Sequence, residues 1–226
     1  MTVYVRDKPF SSVRAVLQER VFSVADSSGQ AVKRSLKGEA VIIEADSRTY
    51  YALLGKPDEP EYGQKVANYA LLPLVPEFRR NPETDMLAVE RGTESLDRMA
   101  AAQRAMVKIA GPVDLPRTRP NPFSGRNPRE LDAWPLFVTF DDPRNPRTVR
   151  EVSPDNVGVS RITIEITGDD PSAGIERNLP WLPNYNDRNF SGNRFQSLDD
   201  IKSNGLSASI TSGLFSTGTD SRRDRH

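Results

Sequence analysis

"EAVIIEADSRTYYALL", Glu39 to Leu54, holds two short apolar runs split by Asp46 and Ser47. Valine, isoleucine and tyrosine favour extended backbone because branched and aromatic side chains pack well on a pleated surface. Aspartate and serine suit a tight turn, where their side chains bond to nearby backbone. The stretch reads as a hairpin, which makes the first quarter of the chain a small antiparallel meander. "TVYV" (Thr2–Val5) and "SSVRAVLQERVFSVAD" (Ser11–Asp26) extend it, with Gly29 and Gly38 as further turn residues. Val13 to Leu17 also fits one turn of helix, but the β-branched Val13, Val16, Val21 and Val24 favour strand.

Helical punctuation follows. In "GQKVANYALLPLVP" (Gly63–Pro76), Val66, Tyr69 and Ala70 share a helical face before Pro73 stops the run. "NPETDMLAVERG" offers Asn81 as cap, Pro82 in the first turn and Gly92 past the end. "TESLDRMAAAQRAMVKIAGP" repeats the pattern with Thr93 as cap and Gly111-Pro112 as terminator. Its stripe of Leu96, Met99, Met106, Val107 and Ala110 is predicted to face the protein's own sheet.

Twelve of the 18 prolines fall between Pro112 and Pro183, which forbids long helices there. Strands are expected again in "WPLFVTF" (Trp134–Phe140), "PRTVREV" (Pro146–Val152) and "VSRITIEIT" (Val159–Thr167). In the last of these Ile162, Ile164 and Ile166 point one way. "SPDN" before Val157 starts a single helical turn. Beyond "LPWLPNY" hydrophobicity collapses; "SLDDIKSNGLSASI" fits a short helix or docked arm, and "TSGLFSTGTDSRRDRH" has the composition of a mobile terminus.

The proline-rich connection contains "PRTRPNPFSGRNPR", Pro116 to Arg129, with four prolines, four arginines and no acid. It lacks the PxxP register of a peptide ligand for an aromatic groove, and the reading preferred over phosphate contact is an intramolecular strap. In that strap Phe123 plugs the core edge while the arginines reach carboxylates or carbonyls.

Composition narrows the chemistry. Lysine plus arginine and aspartate plus glutamate both number 31, so the basic excess of a general nucleic-acid binder is missing. There is no cysteine, and the single histidine is His226, which removes thiol catalysis, thiolate metal sites and the usual neutral-pH base. No apolar run reaches the roughly 18 residues of a membrane span. Asp141 and Asp142 in "FDDPRNP" could hold a cation, although Asp before Pro-x-Asn-Pro is also a strong turn. "GLSAS" (Gly205–Ser209) falls short of a nucleophile elbow, and Trp134 and Trp181 are read as core closure over a sugar platform. No catalytic, cofactor or metal residue is assigned.

Four blocks carry a resemblance: "KGEAVIIEADSRTYYALLGK", "WPLFVTFDDPRNPRTVREVSPDNVG", "RITIEITGDDPSAGIERNLPWLPNY" and "FSGNRFQSLDDIKSNGLSASITSGLFST". In order and spacing they resemble a group of proteobacterial proteins of unknown function. Many of that group begin with a lipoprotein-type signal ending in cysteine, which implies the periplasm or cell envelope. This chain departs from that pattern, having neither such a signal nor a cysteine, and a cytoplasmic location is the alternative. The resemblance supplies no reaction, ligand or site residue.

The fold expected is α+β: an antiparallel sheet built from N- and C-terminal strands, a helical insert on one face and a proline-rich strap. One domain spans 1–195, with strands in 2–54, helices in 62–110, the connection at 111–135 and strands in 136–167. An arm and flexible tail follow at 196–226. The function expected is a non-enzymatic binding or assembly module of the bacterial envelope that holds another protein. Leu206, Ile210, Leu214 and Phe215 of the arm are the candidate partner contacts. An inhibitor or immunity-type protein and a metal-assisted carboxylate hydrolase are the competing classes.

Overall fold

A computed structural model describes residues 1–21, 31–78, 96–120, 130–194 and 204–217. The strands in chain order are β1 (Thr2–Val5), β2 (Lys8–Ser11), β3 (Arg14–Val21), β4 (Ala31–Gly38), β5 (Val41–Ala45) and β6 (Arg48–Ala52). After the helices come β7 (Val113–Asp114), β8 (Thr118–Pro120), β9 (Glu130–Asp132), β10 (Phe137–Phe140), β11 (Val149–Glu151) and β12 (Val159–Ile164). The helices are α1 (Tyr62–Leu71), α2 (Leu96–Met106) and the single turn α3 (Pro154–Val157). The fold is α+β, and every strand pairing described is antiparallel.

Strands from both ends of the chain do combine, but in two sheets. The first runs β2-β1-β12-β7 and the second β11-β10-β6-β5, while β3-β4 and β8-β9 are two-stranded ribbons. The hairpin read from Glu39–Leu54 is β5-β6, and its turn residues Asp46 and Ser47 have φ of 50° and 60°. Positive φ at both positions is what a two-residue hairpin turn demands.

The second sheet is a middle layer, buried on both faces. Tyr50 and Ala52 of β6 and Phe137 of β10 point into one core with Val3, Ile162, Tyr62 and Phe78. Tyr51, Leu53, Val138 and Phe140 point into another, with Ile175, Phe190 and Phe215. Burial on both sides explains why "RTYYALL" and "LFVTF" are continuous apolar runs and not alternating ones.

Helices α1 and α2 cover the first core as expected of the insert. Val66, Tyr69 and Ala70 are buried, and after Leu71 the chain passes into a 3-10 turn at Leu72–Leu74 that holds Pro73. Gly63 lets the first turn of α1 press on the end of β6, where a Cβ would collide with the Leu54 carbonyl. Met99, Ala102 and Met106 of α2 are buried. The helix ends at Met106, earlier than its sequence pattern suggests, so Val107 is 66% exposed and Ala110 lies at the surface. The helix expected over Asn81–Gly92 and the cap at Thr93 lie outside the described residues, as does His226.

The described parts of the connection, 111–120 and 130–135, are tied to the domain, with more regular structure than expected. Val113–Asp114 adds an edge strand to β12, and Thr118–Pro120 pairs with Glu130–Asp132. Arg117 grips both carboxylate oxygens of Asp155 at 2.8 Å, and Arg119 reaches Glu59 at 2.7 Å. Phe123, Arg126 and Arg129 lie outside the described residues.

Candidate functional site

Of the four residues expected to meet a partner, three are buried and Leu206 is half-buried. Ile210, Leu214 and Phe215 are buried, Phe215 completely, and Leu206 packs against the same core. Backbone bonds tie their segment down: Ala40 N donates to Phe215 O at 2.7 Å, Leu54 N to Leu214 O at 2.8 Å and Phe190 N to Ile210 O at 3.0 Å. The reason is geometric. Without these side chains the outer face of the second sheet, carrying Tyr51 and Phe140, would be wet. The buried side chains of residues 204–217 are therefore part of the core, while the boundary expected at 196 lies outside the described residues.

The other flagged residues resolve into structure. Trp134 donates its Nε1 proton to Leu115 O at 3.1 Å, and Trp181 donates to Pro143 O at 2.7 Å while its ring packs edge-on against Phe140 and Phe190. Ser207 of "GLSAS" is buried and donates to Asn204 O. Asp142 accepts from Arg144 N at 3.0 Å inside the turn, and Asp141 pairs with Arg150 at 2.7 Å. The two carboxylates thus serve different partners, and no group of three acidic or histidine side chains gathers as a metal cage among the described residues.

Sequence reasoning missed Glu39. Its side chain is buried, and its carboxylate accepts from Gly174 N at 2.7 Å and from Ile175 N at 3.0 Å, capping a 3-10 turn at Ile175–Arg177. Thr217 Oγ1 accepts from Gly38 N at 3.0 Å beside it. Three of the four blocks quoted above, containing Glu39, Gly174 and Thr217, thereby meet at one point. Nothing local in the sequence links residues so far apart in the chain.

Arg14 was also unseen. Its guanidinium is enclosed, with only Nη2 near a carbonyl, that of Ala52 at 3.5 Å, while Nε and Nη1 find no partner. Burial holds its pKa down to about 10. Nearby, Lys56 donates to Asp132 O at 2.7 Å and lies over the Tyr62 ring, and burial lowers its pKa.

One cleft combines exposure with unsatisfied polar groups. It has a volume of about 330 Å³ and lies where the β5-β6 turn meets the end of β10. Ser47, Arg48, Thr49 and Tyr51 line one side, and Thr139, Phe140, Asp141 and Pro143 the other. The register that sets Val138 opposite Tyr51 brings these sides together. Thr139 Oγ1 donates to Thr49 O at 2.8 Å and fixes the floor. Tyr51 is 2% exposed, its ring held edge-on by Phe140 and Phe215. Its hydroxyl lines the cleft without a hydrogen-bond partner among the described residues. Burial first, and the charge of Glu44 second, push its pKa up, so the phenol stays protonated. In sequence Tyr51 looked like one more apolar strand residue.

No helix among the described residues is long and apolar enough to cross a membrane. No protein-family model matches the chain, and neither a curated protein nor a solved structure matches it.

Proposed function

We propose that this chain is a non-enzymatic binding or assembly module that holds another protein, with the cleft at the end of β6 and β10 as the anchor point. The observation that carries the reading is the open Tyr51 hydroxyl in a cleft whose one carboxylate, that of Asp141, is neutralised by Arg150. The same internal pairing recurs at Glu59 with Arg119 and at Glu39 with Gly174 and Ile175. Such groups are tied to structure, which suits a rigid receiving surface more than proton transfer. Placement in the bacterial envelope rests on the resemblance of the four sequence blocks alone.

Site-specific photocrosslinking in native cells tests it. A benzoylphenylalanine at position 47 or 143 is expected to trap one protein of defined mass. The same probe at Asp169, an exposed position outside the cleft, should not. Equal adducts from all three positions, or none from the cleft, would defeat the proposal.

A further inference from the structure

We propose that the group entering the cleft is a carboxylate on a short apolar or aromatic stem; the inference rests on the cleft being the binding site. Among the lining residues Arg48 and Asp141 carry charge. Asp141 is balanced by Arg150 at 2.7 Å, whereas Arg48 makes no ion pair among the described residues. The unbalanced charge among the lining residues is therefore that of Arg48, with the Glu44 carboxylate outside the lining but near enough to act on Tyr51. The hydroxyls of Tyr51, Ser47 and Thr49 likewise have no hydrogen-bond partner among the described residues.

The Tyr51 hydroxyl is not among the enclosed unpartnered atoms, so it is open to the cleft, and a phenol that stays protonated offers its proton there to an acceptor oxygen. Hydrogen bonds to an ionised acceptor are the stronger kind, which favours a carboxylate over a neutral carbonyl. The Phe140 ring and Pro143 supply apolar wall beside these donors. A volume of about 330 Å³ is at the lower end of ligand cavities and matches one side chain or a small acid. A bare inorganic anion would leave the apolar wall uncovered.

The carboxylate has two sources, a free small acid or the terminal residue of a partner protein. The test uses isotope-labelled full-length chain titrated with sodium benzoate, with inorganic phosphate, and with the tripeptide Ala-Ala-Phe as free acid and as amide. Amide resonances of Thr49, Tyr51 and Phe140 are followed. Benzoate and the free-acid tripeptide are expected to shift them saturably. Phosphate and the amidated tripeptide should bind at least tenfold more weakly. Tighter binding of the tripeptide than of benzoate assigns the source to a protein terminus, and the reverse assigns it to a small acid.

Tyr51→Phe keeps the ring and removes the donor. It is expected to weaken binding about fivefold with an unchanged melting temperature, and Arg48→Gln to weaken it and flatten its salt dependence. Equal binding to wild type and Tyr51→Phe, equal binding of acid and amide, or no shift with any probe overturns the carboxylate. Crosslinking at positions 47 and 143 that persists in that case leaves the binding module standing. Saturable benzoate binding without a crosslink does the opposite.

Discussion

Arg6 holds both carboxylate oxygens of Asp46 at 2.7 Å, so the turn of the β1-β2 hairpin is fastened to the turn of β5-β6. The two turns share a second property. Arg6 and Asp7 have φ of 49° and 67°, Asp46 and Ser47 of 50° and 60°, and none of the four is glycine. Left-handed backbone costs a residue with a Cβ roughly 1–2 kcal/mol, less for Asp than for Ser.

Ser47→Gly should therefore stabilise the chain. Relief of about 1 kcal/mol is partly offset by the greater freedom of glycine in the unfolded chain, leaving a rise in melting temperature of roughly 1–2 °C. Calorimetry checks this, with Ser47→Val as the opposite case. Arg6→Ala, which breaks a solvent-exposed pair, should leave the melting temperature nearly unchanged.

Glu39→Ala removes the acceptor of two backbone donors, the buried one of Ile175 and the partly buried one of Gly174. Leaving them unmet should cost about 2–4 kcal/mol in denaturant unfolding. Glu39→Gln retains one acceptor oxygen and is expected to lose less. Hydrogen exchange at Gly174 and Ile175 should accelerate in both variants before exchange in β10 does.

Phe215→Ala empties the centre of the outer core, where the Phe215 ring lies 5.5 Å from those of Tyr51 and Phe190. The expected loss is about 3–5 kcal/mol. Truncation before residue 204 should unfold the second sheet, read by circular dichroism and by loss of a cooperative melt. A truncated chain that melts like the full one would return these residues to the role of a partner-binding arm.

Arg14→Met replaces an enclosed cation that has two unpaired nitrogens. Exchange of a poorly compensated buried charge for an apolar side chain is expected to stabilise by about 1–3 kcal/mol at neutral pH. The sign with pH follows from a folded pKa of about 10, below the ordinary value of an arginine. Between those values the unfolded chain binds more protons, so wild-type stability recovers as pH rises. The advantage of Arg14→Met should shrink above pH 10 in urea titrations.

Elements specified by short-range chemistry were legible in the sequence. The β5-β6 turn at Asp46-Ser47, the stop at Pro73 and the Ser153-Pro154 start of α3 each depend on neighbours within a few residues. The anchoring by Arg117 and Arg119 was legible because arginines in a stretch without acids need carboxylates from elsewhere. The outer core was not. Ile175, Leu179, Leu182, Ile210 and Leu214 lie in or beside 3-10 turns and loops, whose side chains follow no lasting period. Val107 continues the spacing of Met99 and Met106, yet the chain leaves helical phase after Met106, so periodicity overran the element. Tyr51 hid for a different reason: its ring belongs to the core, and only the position of its oxygen at the cleft distinguishes it.

The double-faced second sheet also sets an order on biosynthesis. Until Ile210, Leu214 and Phe215 have been made, one side of Tyr51 and Phe140 is covered only in part, by Ile175, Leu179, Leu182 and Phe190. The emerging polypeptide carries that half-covered wall until residues 204–217 have left the ribosome, and it is most open to misassociation before then.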